Sequence, residues 1–408
     1  MSTEISVRNL QTILSLDSLS YGLIYYFISP YILKLGGSHV EVGLLTIGNI
    51  LADLLSPDLC SLLIHLHGKK FTLFLIFNTA LLSHILLVLT NSYWFVILVR
   101  ILFSFTNQTQ NLCLELLLNK ADSEEDKKKI NTNYSIFSGS GYILGPIISG
   151  YIFDFGFGYI GILAACLAFI NSQLLVAVSK DDKDDKDVNS EYTEGSIVSK
   201  AYEKMMKNVQ EFKKCKPEIH WDLLVVKYLF AGSVIIFFAK FTQILKHNFH
   251  SSNIVIGYTT AYINALIFAI TYYADTFKIQ EKFSVQFISE TSFLLLSILM
   301  LLACYAPYYE VYMVLLALVI VLRTLVFSLW KDLFFERKNA SLSKLNSAAS
   351  VAAGLSIPLF FGIVCNQIAH NAVILFSWVP MFICWLIFKF YSRCLSVVGH
   401  SKENKKDS

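Results

Sequence analysis

Runs of about twenty apolar residues alternate with short polar segments along the whole chain. A helix of that length crosses the roughly 30 Å hydrocarbon core of a bilayer. Backbone groups in lipid must be paired within the protein, which long runs achieve as helices, whereas a membrane β-barrel shows short alternating segments. The pattern predicts about twelve membrane-spanning helices, near residues 10–33, 40–64, 71–91, 94–118, 131–154, 157–178, 221–245, 253–274, 284–306, 309–333, 347–368 and 371–393.

The longest polar interval separates the sixth predicted span from the seventh. It starts at Lys180 with the sequence KDDKDDKD, whose mixed charges cannot bury enough apolar surface to form a packed domain. We therefore predict an all-α membrane protein of two six-helix bundles joined by this loop. We interpret the loop as a linker, with a regulatory binding segment as the alternative. The predicted regions are an N-terminus at 1–9, a first bundle at 10–178, a central loop at 179–220, a second bundle at 221–393 and a tail at 394–408.

Composition supports a membrane protein. The 408 residues are 55% hydrophobic and 15% charged, with a mean hydropathy of +0.56. Soluble domains are roughly 45–50% apolar and about 25% charged, so this surplus must face lipid. The eight cysteines are scattered without metal-ligand spacing, and we predict neither a metal nor another cofactor.

Basic residues concentrate in the loops that the predicted spans place on one side of the membrane. Under the positive-inside rule that side is the cytoplasm, so we predict cytoplasmic termini and a cytoplasmic central loop. The sequence does not choose between the plasma membrane and an internal membrane. The basic residues on this side are Arg8, Lys69, Lys70, Lys120, Lys127, Lys128, Lys129, Lys278, Lys282, Arg337, Lys338, Lys344, Lys402, Lys405 and Lys406.

Asp17 places a carboxyl group inside the first predicted span. A charge near the bilayer centre costs about 2.5–3.5 kcal/mol on insertion scales, so such a group usually faces a hydrated cavity or a partner. Asp17 is therefore a candidate for proton coupling. The alternative is a neutral or paired carboxyl that orients the first span.

Span four carries a polar stripe. In one continuous helix these residues share a face that cannot be exposed to lipid. The stripe then lines a cavity, or it joins helices through polar contacts that contribute about 0.6 kcal/mol on average. Arg100 either binds an anionic solute or pairs with Asp17 or Glu115. The stripe consists of Arg100, Ser104, Asn107, Asn111 and Glu115.

Span ten carries the corresponding cation of the second half, Arg323. Phe327 and Trp330 follow at helical spacing on the same face. Aromatic rings beside a cavity suit an apolar or cationic organic molecule. The alternative is aromatic packing against lipid or neighbouring helices.

Span five combines small residues with a proline. Gly141, Gly145 and Gly150 let another backbone approach closely, and Pro146 removes a helix hydrogen bond. The run Gly141-Tyr-Ile-Leu-Gly145-Pro146-Ile-Ile-Ser149-Gly150 resembles the antiporter signature GxxxGPxxGG of the major facilitator superfamily, with serine replacing one glycine. The resemblance implies a stiff helix interface that limits leak, and plain small-residue packing is the alternative.

Two further features of the first half support the same resemblance. Leu16 and Asp17 with Gly22 and Pro30 are similar to the LDxxxxGxxxxxxxP pattern of tetracycline-exporter-type major facilitators. Arg100 occupies the place where that superfamily has its span-four arginine. Within the superfamily the chain looks most similar to the branch that contains major facilitator superfamily domain-containing protein 9. The organic cation transporter-like proteins are the next most similar branch. The resemblance implies a major facilitator-type fold.

The loop between spans two and three resembles the family pattern GxLxDRxGRR in degenerate form. It retains Leu63, Gly68, Lys69 and Lys70, but His65 replaces the aspartate. In the family that aspartate belongs to a cytoplasmic latch of charge pairs. Its loss argues against proton-coupled efflux without affecting the fold.

The second half holds a decayed copy of this loop motif. The run from Tyr273 to Thr276 retains the aspartate as Asp275. The matching position and span pattern suggest two related halves, as in transporters built from repeats around a central site.

The leading hypothesis is a secondary transporter of a small organic solute that works by alternating access and exchanges it for protons. The alternatives are a facilitator without ion coupling and a transport-inactive scaffold that acts through its central loop. We find no catalytic constellation in the sequence and predict that the protein is not an enzyme. We expect it to be a monomer in a lipid bilayer, without a nucleic-acid partner.

Overall fold

The computed structural model describes residues 2–104, 107–119, 121, 123–178, 210, 221–277, 285–336, 340–367 and 370–390 of the chain. Regular secondary structure within these ranges is helical and contains no strand, as the apolar runs predict. The helices are α1 (Ser2–Tyr25), α2 (Ile28–Lys34), α3 (His39–His67), α4 (Lys69–Leu89), α5 (Tyr93–Ser104), α6 (Thr109–Leu118), α7 (Glu124–Ile152), α8 (Phe157–Val176), α9 (Trp221–Asn248), α10 (Asn253–Phe277), α11 (Val285–Cys304), α12 (Tyr309–Glu336), α13 (Ala340–Gln367) and α14 (His370–Phe390).

Two of the predicted spans are each divided into two helices. Span one consists of α1 and α2, and span four consists of α5 and α6. The prediction of one continuous helix through residues 94–118 is therefore wrong. The amide of Asn107 bonds the carbonyl of Ser104 in a turn, within a polar run of threonine, asparagine and glutamine side chains that compete with helical hydrogen bonds.

Eight of the described helices are long and apolar enough to cross a bilayer, namely α3, α4 and α8 to α13. Large apolar side chains on their outer faces are exposed, including Leu82 on α4 and Phe169 on α8. An apolar groove of about 560 Å³ lies between these two helices, lined by Leu81, Ile85 and Cys166 among others. Such a surface is stable in contact with lipid and not with water.

Contacts between Cα atoms divide the chain into two compact units. The first contains residues 1–203 and 252–265, and the second contains residues 204–251 and 266–408. The first part of α10 therefore packs with the helices of the first unit. In that unit α1 packs on α7 and α8, α4 packs on α8, and α3 packs on α5. Its core includes Leu10, Ile13, Leu14, Leu73, Phe77, Leu112 and Leu175.

The second unit is organised around α9 and α14. Helix α9 packs on α13 and α14, and α11 packs on α12 and α14. A small apolar cluster of Ile236, Phe361 and Cys365 joins α9 to α13. The hydroxyl of Ser233 on α9 bonds the Ser377 carbonyl on α14, beside a proline in that helix.

Glycines bring α1 and α7 into backbone contact. A Cβ atom built on Gly141 would lie 2.4 Å from the Leu19 nitrogen, and one on Gly145 would lie 2.6 Å from the carbonyl carbon of Gly22. No side chain fits at these positions without moving a backbone. The two helices therefore lie closer together than side chains would permit.

The same helix makes a second glycine crossing with the start of α10. A Cβ atom on Gly257 would lie 2.5 Å from the Pro146 carbonyl oxygen, and one on Gly150 would lie 2.8 Å from the Asn253 carbonyl oxygen. Ser149, the residue that replaces a glycine of the antiporter signature, donates a hydrogen bond to the Leu23 carbonyl. The signature therefore contacts α1 at one end and α10 at the other.

We predict that Gly145→Ala destabilises the folded protein, because the new methyl group overlaps the α1 backbone, with an expected cost of about 1–3 kcal/mol. Gly158→Ala is the matched control, since a Cβ atom there meets only the Val88 side chain at 3.7 Å. Melting temperatures of the purified proteins in detergent measure the effect. Equal melting temperatures for the two variants would contradict the proposed backbone contact.

Candidate functional site

Asp17 lies on a polar and aromatic face of α1. Asp17, Tyr21 and Tyr25 follow each other at intervals of four residues, which aligns them on one side of the helix. The rings of Tyr21 and Tyr25 stack at 5.0 Å between centroids. Tyr21 also meets the Tyr142 ring of α7 edge-on at 5.7 Å.

The carboxylate of Asp17 faces the first turn of α6. The hydroxyl of Thr109, the first residue of α6, lies within hydrogen-bonding reach of the carboxylate. The N-terminus of a helix has a partial positive charge and favours a nearby anion. Because span four is interrupted, this helix start lies inside the first unit, where it offsets part of the cost of placing the half-buried carboxylate among apolar helices. Asp17 also interacts electrostatically with Cys113, Tyr134 and Tyr142.

Gln110, the next residue of α6, connects three helices. Its amide nitrogen donates to the Tyr142 hydroxyl at 2.6 Å and lies 3.5 Å from the Ser18 hydroxyl of α1. Its carbonyl oxygen lies 3.4 Å from the Tyr134 hydroxyl and 3.5 Å from the Ser138 hydroxyl. The three α7 partners are spaced four residues apart and therefore share one face.

The network extends to α10. The amide nitrogen of Asn264 donates to the Tyr142 carbonyl at 2.7 Å, and the Tyr26 hydroxyl donates to the side-chain oxygen of Asn264 at 2.9 Å. Close by on α1 and α7, the hydroxyls of Ser15 and Ser140 are 3.2 Å apart. A polar layer therefore runs through the first unit beside the glycine crossing.

Arg100 forms a second, separate polar centre. Its side chain is only 3% exposed, and its guanidinium lies 5.0 Å from the Phe103 ring centroid. It interacts electrostatically with Asp53 of α3 and with Tyr21 and Tyr25 of α1. Of the two pairings considered for Arg100 from the sequence, neither the one with Asp17 nor the one with Glu115 is present among the described contacts. The Nε atom of Arg100 has no hydrogen-bond partner there, so one donor is available.

Around Arg100, several buried polar groups are paired with each other. The Ser104 hydroxyl donates to the side-chain oxygen of Asn49 at 2.9 Å. The Nε2 atom of His84 lies 3.2 Å from the Ser20 hydroxyl, and the imidazole is 5.4 Å from the Phe103 ring. These contacts tie α5 to α1, α3 and α4.

Glu115 lies at the α3–α4 loop, away from Arg100. Its carboxylate pairs with the Lys69 ammonium at 3.1 Å, and the Lys70 ammonium donates to the Val178 carbonyl. Gly68 joins α3 to α4 with a φ of 83°, a conformation that favours glycine. The retained residues of the degenerate loop motif thus fasten the loop to the ends of α6 and α8. Within the same loop, Leu63 is partly buried and His65 is exposed.

The remaining polar residues of span four do not continue one stripe. Asn111 is exposed and donates to the Gln108 side chain of its own turn at 2.7 Å. Asn107 lies in the turn between the helices. The break between α5 and α6 therefore separates Arg100 from Asn111 and Glu115, and the predicted common face is wrong.

In the second unit, Arg323 of α12 lies over the Phe238 ring of α9, 4.8 Å from its centroid. Lys227 of α9 is only 5% exposed and lies over the rings of Phe230 and Phe327. Lys227 is therefore buried within the second unit, although it lies near the start of α9. The side chains of Trp330 and Asp275 lie outside the described part of the structure.

The sequence analysis did not identify Tyr21, Tyr25 and Tyr142 as neighbours of Asp17, and it did not identify Gln110 as a connecting residue. A signal was present in the four-residue spacing of Asp17 with the two α1 tyrosines. Gly257 had no comparable signal, because only the chain path of α10 brings it to α7.

The fold and the site together define a class of protein. Lipid-facing helices enclose charged and polar side chains that are paired within the protein, as in membrane proteins that move polar solutes. A sequence profile of the Major Facilitator Superfamily matches residues 12–340, and the chain belongs to this family. The family indicates a multi-pass membrane transporter rather than an enzyme.

Solved structures of this fold align over nearly the whole chain. The nucleoside transporter NupG has a TM-score of 0.73 and 13% identity, covering 94% of this chain and 98% of its own. A bacterial homologue of the human lysosomal transporter Spinster, inward-facing and unoccupied, has a TM-score of 0.71 and 12% identity, covering 97% of each chain. The human organic anion transporter MFSD10 (TETRAN) has a TM-score of 0.57 and 13% identity, covering 94% and 99%. At these identities the likeness shows the fold alone, and comparison with curated proteins found no match.

We predict that Gln110→Leu lowers stability, because the half-buried Tyr142 hydroxyl loses its 2.6 Å partner while leucine fills a similar volume. The expected cost is about 0.5–1.5 kcal/mol. Asn111→Leu is the control, since Asn111 is exposed and its hydrogen bond among the described residues lies within its own turn. Thermal melting in detergent compares the two, and a larger loss for Asn111→Leu would refute the role assigned to Gln110.

Proposed function

We propose that this protein is a secondary active transporter of a small organic solute that works by alternating access. The observation that carries the proposal is the polar layer of the first unit, where Asp17, Thr109 and Gln110 lie among apolar helices. Burying such groups in a membrane protein is costly and is typical of substrate and ion pathways. Family membership supports the same reading.

We further propose that Asp17 carries the coupling proton. Its ionised form is favoured by the start of α6 and by Thr109, whereas its neutral form is favoured by the apolar surroundings. The opposing effects make the protonation state depend on the position of α6 relative to α1. Other titratable groups that interact with Asp17 are Cys113, Tyr134 and Tyr142.

Arg100 would then act on the same site indirectly. Its electrostatic partners Tyr21 and Tyr25 lie on the Asp17 face of α1. Binding of an anionic group at the Nε donor of Arg100 would therefore alter the electrostatic environment of Asp17 through the residues of that face. Asn107, Asn111 and Arg323 are further candidates for lining the solute path.

A facilitator without proton coupling is the second candidate. It is favoured by His65 at the position where the family has an aspartate in its latch. The ion pair between Lys69 and Glu115 fastens the loop within the first unit without that aspartate. Transport that ignores a proton gradient would identify this mechanism.

The finer placement within the family is also a proposal. The antiporter signature has two close backbone crossings, at Gly145 and Gly257. It supports placing the chain in the branch of the tetracycline exporters and of major facilitator superfamily domain-containing protein 9. The basic residues in the loops on one side of the membrane support our proposal that both termini lie in the cytoplasm. We propose that the crossings limit leak by keeping the α7 interfaces rigid.

We predict that Asp17→Asn abolishes the pH dependence of solute flux and leaves the protein folded, because asparagine keeps the size and hydrogen bonds of the residue but cannot ionise. The solute is first identified by an untargeted metabolite comparison of cells with and without the protein. Flux is then measured in proteoliposomes across a pH step.

Glu125→Gln serves as the control for this prediction, since Glu125 is an exposed carboxylate in the first turn of α7. It should transport as the unmodified protein does. Unchanged pH dependence in Asp17→Asn would remove Asp17 from the coupling mechanism, and an absence of any solute flux in the unmodified protein would contradict the transporter proposal.

A further inference from the structure

The second unit contains a buried cation that the polar layer of the first unit does not involve. Lys227 lies in the second turn of α9 and is only 5% exposed. Among the described residues it has neither an ion pair nor a hydrogen bond. A buried ammonium without an anion is unfavourable, because the loss of hydration is not compensated.

Two aromatic rings surround this ammonium. Its nitrogen lies 5.7 Å from the Phe230 centroid and 5.1 Å from the Phe327 centroid. Phe230 belongs to the interior of the unit, where it packs against Phe293 at 6.0 Å, whereas Phe327 is 53% exposed. The ammonium therefore has a closed side and an accessible side.

The accessible side lies between α9 and α12. The close packing partners of α9 are α13 and α14, and α12 packs on α11. Long side chains connect α9 and α12, through Lys227 to Phe327 and through Phe238 to Arg323. Each of the two helices thus contributes one cation and one ring to these contacts.

The nearest acidic group along α9 does not neutralise Lys227. Asp222 is buried in the first turn of the helix, and its Oδ2 atom has no hydrogen-bond partner among the described atoms. An interval of five residues places the two side chains on different faces of the helix. The structure shows no ion pair between them.

We propose that Lys227, with Phe230 and Phe327, forms a binding site for the carboxylate of an aromatic organic anion. The ammonium pairs with the carboxylate, and the exposed Phe327 ring packs against the aromatic part of the ligand. A cationic ligand is disfavoured, because the lysine already occupies the ring faces and repels it. This inference rests on the proposed transport of an organic solute and names its class.

Binding of small aromatic probes to the purified full-length protein in detergent tests the site. The probes are benzoate and 2-naphthoate, with benzyl alcohol as the neutral and benzylamine as the cationic analogue. We expect the unmodified protein to bind the carboxylates at least tenfold more tightly than the analogues. Lys227→Met should lose this preference, and Lys227→Arg should retain it.

Lys389→Met is the matched control. Lys389 also lies over two rings, Trp385 at 4.9 Å and Phe390 at 5.8 Å, but it is exposed at the end of α14. It should bind the carboxylates as the unmodified protein does. If Lys227→Met does not fold, the comparison of Lys227→Arg with the unmodified protein and the order of probe affinities still decide the question.

Three results would overturn the site: no carboxylate binding at millimolar concentration, equal or tighter binding of benzylamine, or full carboxylate preference in Lys227→Met. Binding is measured without a membrane gradient, so it is independent of transport. Carboxylate binding that depends on Lys227 but leads to no flux would refute the proposed function and leave the site standing. Solute flux together with any of the three binding results would refute the site and leave the proposed function standing.

Discussion

The structure depends on one constraint, which is that lipid offers no hydrogen bonds to a polar group inside a span. Asp17 is the clearest case. Its half-buried carboxylate requires partners from other helices. Thr109 at the start of α6 bonds it, and Tyr134 and Tyr142, on the α7 face that bonds Gln110, interact with it electrostatically. The interruption of span four supplies the helix start that the carboxylate needs. Polar side chains that were separate in the sequence are thereby combined into one layer.

Much of the fold could be predicted because apolar length alone identifies a span. The candidate polar residues could be predicted because their cost in lipid makes them exceptional. The break in span four could not be predicted from the spacing of polar residues, because that argument assumes a continuous helix. It therefore placed Arg100 and Glu115 on one face. The burial of Lys227 could not be predicted either, because whether a lysine near a helix end is buried depends on a neighbouring helix, here on α12 through Phe327.

The loop between α3 and α4 is held by a backbone turn and by contacts of its two lysines. Gly68 retains the backbone turn, and the two lysines contact Glu115 and the Val178 carbonyl within the first unit. These contacts need a positive charge and a turn, and they do not need the missing aspartate. The described contacts of the loop therefore form without an aspartate at the position of His65.

Backbone packing determines which part of the polar layer can move. Gly22, Gly141 and Gly145 bring α1 and α7 so close that their relative shift would force backbone atoms together. Asp17 and its partners on α7 thus form one rigid frame. Helix α6 has only 10 residues and is separated from α5 by a turn, and it contacts the frame through Thr109 and Gln110. Under the proposed coupling by Asp17, a change in its charge would alter its attraction to the first turn of α6, so this short helix is the element expected to respond to protonation.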